Sequence, residues 1–336
     1  MRHSTTFLMS LIVASILVLM FLNLVLGSVS IPLKSVWNII CGLGDEPVTW
    51  QNIVWKSRLP QALTALVAGA GLAISGLQMQ TVFRNPLAGP SVLGISSGAS
   101  MGVAFVVLLS GSLGGVALSK LGFMGEIALS IAAVIGSLSV MALIVYVSQK
   151  VKGNVTLLII GVMIGYVANA VIGVLKFFSV EEDIRAYVIW GLGSFSRVSG
   201  NQMMLFVAIM AILIPLSFLL IKTLNLMLLG DGYARNLGLN IKRARLLVIT
   251  SAGVLTAIVT AYCGPVIFLG LAVPHLCRAI FQTSDHRVLM PAVLFAGAAL
   301  ALVQPGCPDA RLRRGFAGQF GDCPNRCSGS GLRSIP

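Results

Sequence analysis

Apolar residues in this chain fall in long unbroken blocks, near 7–27, 62–82, 91–110, 126–148, 155–178, 202–222, 246–262, 264–282 and 288–303, with short polar breaks between them. A helix rises about 1.5 Å per residue, so roughly 20 apolar residues cross the hydrocarbon layer of a bilayer. A membrane β-barrel would show alternation over segments of about ten residues. These nine blocks are continuous and rich in Leu, Ile, Ala and Gly. The pattern predicts an all-α polytopic membrane protein. The first block has a basic start, as a secretory leader has, but its apolar run is longer than the core of such a leader. It is read as the first span, with cleavage after the small residues Gly27-Ser28-Val29-Ser30 as the alternative.

Composition agrees. Of 336 residues, 57% are hydrophobic and 10% charged, against about 25% charged in soluble domains. Too few charges remain to make a water-facing surface, which excludes a soluble enzyme, a disordered chain and a nucleic-acid binder. The net charge of +13 reflects the shortage of acids, 10 in all, and not a basic patch. Orientation follows the placement of Lys and Arg. The densest basic group, Arg235, Lys242, Arg243 and Arg245, lies inside if the N-terminus is cytoplasmic, and that topology is adopted.

Candidate chemistry sits in the breaks and in the glycine pattern. Gly69, Gly71 and Gly76 stud the second block, and Gly94-x3-Gly98 and Gly161-x3-Gly165 have the spacing that lets helix backbones approach in lipid. Packing is the first reading of these glycines and pore lining the second. Arg58-Leu59-Pro60 opens the second block; Lys56 and Arg58 with Trp50 and Trp55 fit an interfacial anchor, and also a docking point for an acidic partner. Arg84-Asn85-Pro86-Leu87-Ala88-Gly89-Pro90 predicts a tight turn. The weakly polar stretch after it, with Ser96, Ser97 and Ser100, predicts a buried or cavity-lining helix. The long break 222–245 fits two short helices parted by a glycine, and its length suits contact with a cytoplasmic partner. Two prolines, Pro265 and Pro274, interrupt the block 264–282, and His275 there is read as a packing histidine before a proton relay. No phosphate-binding loop, metal-ligand pattern or nucleophile motif occurs, so no catalytic or metal-binding residue is assigned and no cofactor is expected on this chain. Cys263 and Cys277 read as core residues, and Cys323-x3-Cys327 is too weak for a metal site.

The order Arg-Leu-Pro, Arg-Asn-Pro-Leu-Ala-x-Pro, Leu-Gly-Ile-x-Ser-Gly-Ala, Leu-Gly-Leu-Asn and Gly-Pro-x-x-Phe-x-Gly-Leu-x-x-Pro-His resembles the permease family of ABC importers for iron-siderophores, haem and cobalamin, over roughly residues 5–303. That resemblance implies a fold of ten transmembrane helices in the bacterial cytoplasmic (inner) membrane. It implies a second permease copy, two cytoplasmic ATPase subunits that carry ATP and Mg, and a periplasmic or surface-anchored substrate-binding protein. It gives Lys56 and Arg58 to the docking of the binding protein. Gly230, Asp231, Ala234, Leu237 and Gly238 become the coupling loop to the ATPase. Asn85, Pro86, Ser96, Gly98, Gly161, Gly165, Trp190, Gly193, Pro265 and Pro274 become the pathway and gate, with the fifth block lining the route. A self-sufficient secondary transporter and an inactive truncated permease are the competing readings.

The chain departs from the family after Val303. Residues 1–303 read as a permease domain, whereas 304–336 carry Arg, Gly, Pro and Cys without an apolar run. The tail is expected to be out of frame, or a disordered variant end, in place of a tenth helix.

Overall fold

The computed structural model describes residues 2–27, 29–43, 46–112, 123–151, 153–198 and 200–303; the tail reading of 304–336 lies outside the described residues. Among these every regular element is a helix, and the helices are joined by short turns and extended segments. The elements are α1 (Arg2–Val25), α2 (Leu33–Cys41), α3 (Val48–Ile53), α4 (Leu59–Phe83), α5 (Ile95–Ser112), α6 (Phe123–Lys150), α7 (Asn154–Phe177), α8 (Glu181–Gly191), α9 (Gly200–Phe218), α10 (Ile221–Leu228), α11 (Asp231–Asn236), α12 (Ile241–Cys263), α13 (Leu269–Phe281) and α14 (His286–Val303). Six helices are long and apolar enough to cross a bilayer, α9 and α10 make a seventh crossing bent by 45°, and α5 and α13 are shorter apolar helices. Pro215 lies inside α9 one turn before the bend, where it removes a backbone donor. Each of the nine blocks thus corresponds to one apolar helix or helix pair. The helices run alternately between two faces. The near face carries the start of α1, the turn 84–90 and α10–α11; the far face carries α2, α3, α8 and the segment 264–268.

α4 is the hub. It is apolar all round, as a fully enclosed helix should be, and its residues from Ala68 to Phe83 are all buried. α14, α12, α13 and α9 pack around it. Two of its polar residues bond across that contact: Ser75 Oγ donates to the Ala252 carbonyl (2.8 Å) and Gln78 Nε2 to Ser251 Oγ (3.2 Å). Gln78 Oε1 and Thr64 Oγ1 stay buried without a partner among the described residues. By contrast α1 and α7 turn most of their surface outward, with 11% and 22% of their spans buried.

Glycine sets the spacing. A Cβ on Gly76 would sit 1.6 Å from the Gly270 carbonyl oxygen, and one on Gly69 would sit 2.3 Å from that of Gly297. The backbones of α4, α13 and α14 therefore touch. Gly98 and Gly102 meet Gly136 and Ala132 in the same way, which locks α5 against α6. The packing reading of these glycines holds, and Gly98 faces α6 instead of open space.

Three block boundaries differ from the hydropathy reading. The second span begins far earlier, because α3 runs through a π-helical turn (Val54–Arg58) into α4 as one apolar stretch of 36 residues. The third begins as a 3-10 turn, Pro90–Leu93, and passes through Gly94 at φ +76° before α5 starts. The block 264–282 is helical only from Leu269, since Gly264 (φ +78°) and Pro265 stop the helical ladder. At 13 residues α13 is about 20 Å long, short of a bilayer, and the extended segment before it supplies the rest.

Candidate functional site

The near face is built around the end of α4. Arg84 caps it at φ +48°, and Asn85 then turns the chain, accepting from the Leu87 N–H (2.9 Å). Arg84 donates to the Met227 carbonyl (3.3 Å) and to the Asp231 carboxylate, with which it forms an ion pair. α10 and α11 are parted at Gly230 (φ +97°), as the break in the sequence predicts. Ala234 is buried under α11, while Tyr233 and Leu237 are 74% and 61% exposed. Gly238 sits at φ +85°. The predicted coupling residues therefore share one element, anchored from beneath and presenting two large apolar side chains outward.

A second polar cluster ties α10 to α4 and α14. The His286 N–H donates to Asn225 Oδ1 (2.9 Å), and ring Nδ1 lies 2.8 Å from the same oxygen, so the ring proton is placed on Nδ1. Nε2 faces Thr81 Oγ1 at 2.8 Å on α4. Asn225 Nδ2 donates to Asp285 Oδ1 (2.7 Å), and Asp285 caps α14 by accepting the Arg287 N–H (2.9 Å). Beside them Arg278 of α13 donates to Gln80 Oε1, and Gln80 Nε2 donates to the Leu271 carbonyl (3.1 Å). Sequence reading chose the wrong histidine: His275 is exposed on α13, and His286 is the buried one. Its signal was the Asp-His-Arg triplet at a helix start.

The bonds from the Arg287 N–H and Asn225 hold the Asp285 carboxyl below the usual carboxylate range. A lowered folded pKa gives stability that is complete above the ordinary value near 3.9 and lost as pH falls through the folded one. Asp285→Asn should accordingly unfold at a lower temperature than wild type at pH 6, with the gap closing towards pH 3. A constant gap across that range would show that the charge contributes nothing.

On the far face the predicted gate residues Trp190, Gly193 and Pro265 come together. α8 packs its buried Tyr187 and Trp190 inward. The turn after it is stitched to the break between α12 and α13: the Ser194 N–H donates to the Cys263 carbonyl (2.7 Å). A Cβ on Gly264 would stand 2.7 Å from the Trp190 carbonyl oxygen, and one on Gly193 would stand 3.0 Å from that of Pro265. Non-helical backbone at this depth lines a cavity of about 310 Å³ between Leu192, Gly193, 265–269 and α14. A larger cavity of about 610 Å³ lies beside it, with Glu126, Asp183 and Arg197 in its wall. The remaining predicted pathway residues are dispersed. Asn85 and Pro86 stand at the near face, Ser96 is buried on α5, and Pro274 is buried in α13. Gly161 and Gly165 line a shallow cleft of about 230 Å³ between α7 and the 91–97 segment.

The two predicted docking residues part company. Lys56 is exposed. Arg58 is only 7% exposed, and its guanidinium donates to the carbonyls of Leu24 (2.7 Å), Val25 (2.8 Å) and Val29, over Gly27. It is neither a snorkelling anchor nor a free surface cation but a cap on the last turn of α1, where carbonyls have no intrahelical partner. Arg58→Gln should lower the melting temperature by several degrees, at a cost of about 2–3 kcal/mol. An unchanged melting temperature would remove this capping role.

A family model for the FecCD transport family matches residues 15–304. The chain is 34% identical over 279 residues to the hemin transport system permease protein HmuU of Yersinia pestis, covering 82% of this chain and 79% of that protein. It is 35% identical over 252 residues to the vitamin B12 import system permease protein BtuC of Klebsiella pneumoniae, covering 75% and 72%. Among solved structures, an inward-facing conformation of a metal-chelate type ABC transporter superposes with a TM-score of 0.73 at 26% identity, over 89% of this chain and 88% of that one.

Proposed function

Because the chain belongs to the FecCD transport family, we propose that it is the membrane permease subunit of a bacterial ABC importer for a metal chelate: an iron-siderophore, haem or cobalamin. The chain itself performs no ATP chemistry. Two separate ATPase subunits would hold ATP and Mg and would dock on the near face, which becomes cytoplasmic together with the N-terminus. The observation that carries this reading is the 230–238 element. It is clamped to the end of α4 through Asp231 and Arg84 and turns Tyr233 and Leu237 outward. Such a piece can transmit force, because pushing α11 pulls on Arg84 and, through Asn225, on the start of α14. Gly238 supplies the positive φ that ends it.

The far face then receives the substrate-binding protein. Lys56 offers an exposed cation to an acidic partner, and Arg58 holds the turn beneath it in place. The cavity at Trp190, Gly193 and Pro265 is assigned to the outer gate. The outward apolar face of α7, with Ile159, Met163, Tyr166 and Val167 all exposed, is assigned to the pathway and the second permease copy. Asn85, Pro86, Ser96, Gly98, Gly161, Gly165 and Pro274 support the moving helices between the two faces.

The test is co-expression with a candidate ATPase and binding protein, purification, and reconstitution in proteoliposomes. Uptake of labelled haem, cobalamin or ferric siderophore should require all three components and ATP. Uptake by the permease alone along an ion gradient would establish the secondary-transporter reading instead.

A further inference from the structure

Next to the coupling element lies a cavity that the transport reading does not use. It has a volume of about 370 Å³, within the range of about 300–1,000 Å³ typical of small-ligand sites. It is walled by the end of α6, by α11 and by the start of α12, so it opens where two membrane helices meet the near face. Four cations line it, Lys150, Arg235, Lys242 and Arg245, against one carboxylate, Asp231. That carboxylate is already engaged by Arg84. Arg245 is 9% exposed; its Nη2 stays 3.9 Å from Asp231 Oδ2, and its buried Nε has no hydrogen-bond partner among the described residues. A buried guanidinium left this short of acceptors calls for an anion. The first turn of α12 adds the positive end of a 23-residue helix.

The surroundings say which kind of anion. Leu143, Tyr146 and Lys150 follow one another on α6 at spacings of three and four residues, so they share a face. Leu143 and Tyr146 are 46% and 56% exposed, and the Lys150 ammonium lies 4.6 Å from the centre of the Tyr146 ring. An apolar strip thus leads from the cation cluster into the hydrocarbon layer. A soluble phosphate would need only the cluster; a phospholipid uses both.

We propose that this cavity binds a phosphate-bearing anion, in the form that the headgroup of an anionic phospholipid presents, with its acyl chain along Leu143 and Tyr146. The inference goes beyond the transport reading and needs only that the chain spans a bilayer. Basic pockets between membrane helices at the cytoplasmic side have the chemistry for such headgroups. The bound lipid would tie α6 and α12 to the coupling element, so membrane composition would set how firmly α11 is held.

The experiment uses the purified full-length permease, stripped of lipid in a neutral detergent. Melting temperature and retained lipid in native mass spectra are followed during titration with phosphatidylglycerol, phosphatidylcholine or inorganic phosphate. Phosphatidylglycerol should raise the melting temperature saturably, and phosphatidylcholine should not. Lys150→Gln with Lys242→Gln should weaken phosphatidylglycerol binding about 25-fold, at about fivefold for each surface cation. Both lysines are exposed, so the variant folds, and Arg185→Gln on the far face should bind as wild type does. An equal shift from inorganic phosphate, abolished in the same variant, would support the phosphate site and assign it to a soluble anion. Equal stabilisation by phosphatidylcholine, or unaltered binding in the double variant, would overturn the proposal. So would a double variant that loses the ATPase subunit while wild type ignores phosphatidylglycerol, because the cations would then serve a protein partner.

Discussion

Gly76→Leu should leave almost no folded permease in the membrane, and Gly76→Ala should already be severely destabilised. The added carbon would overlap the Gly270 carbonyl oxygen at 1.6 Å. Overpacking a core usually costs about 1–3 kcal/mol because side chains shift to make room. Here the obstacle is backbone, so α13 itself must move away from α4, and the cost should be about 3 kcal/mol or more. Gly173→Ala is the matched control. Gly173 lies within α7 with nothing within 4 Å of its would-be Cβ, and replacing a helical glycine with alanine should stabilise by about 0.5–1 kcal/mol. Size-exclusion profiles and melting temperatures of fluorescent fusions would measure both. Wild-type behaviour of Gly76→Ala would mean that α4 and α13 are not in backbone contact.

Replacing both Tyr233 and Leu237 with aspartate should abolish ATPase capture and reduce ATP-driven uptake at least 30-fold while the permease folds normally. Both side chains point away from the protein, so their loss removes little packing within the chain. On a docking surface, a central aromatic residue such as Tyr233 can carry about 2 kcal/mol or more, and an aspartate buried there without a partner adds to the loss. Pull-down of the ATPase and uptake in proteoliposomes give independent readings. If uptake persists in the double variant, the force enters elsewhere and 230–238 is only a connection.

The nine apolar blocks were legible because continuous hydrophobicity reports directly on lipid, and each holds an apolar helix or helix pair among the described residues. The same signal failed at Pro265, since an apolar run reads alike whether it is helical or extended, and only the paired Gly264 and Pro265 hinted at the break. α8 went unread as a helix because it is short and lies outside the blocks; its one sign was Glu181, Glu182 and Asp183 in the first turn, where acids suit the helix dipole. The 222–245 element was legible down to its glycine break, because Gly230 punctuates two periodic stretches. Arg58 was not, since its partners lie about thirty residues upstream and no local pattern shows that the end of α1 folds over it. His275 and His286 illustrate the same limit. Which side of a helix faces the bundle depends on neighbours that the sequence does not name.

The glycine contacts also decide what in this molecule can bend. Where backbones touch, no flexible side chains lie between them to absorb a displacement, so α4, α13 and α14 act as one girder and α5 with α6 as another. α12 lies against both and is the natural bearing between them. On the proposed coupling, a stroke at Arg84 would enter the first girder directly, and at its far end Gly264 and Pro265 belong to the joint that links α12 to α13. Spin labels placed within one girder should keep their separation through a transport cycle, and labels placed across the two should not.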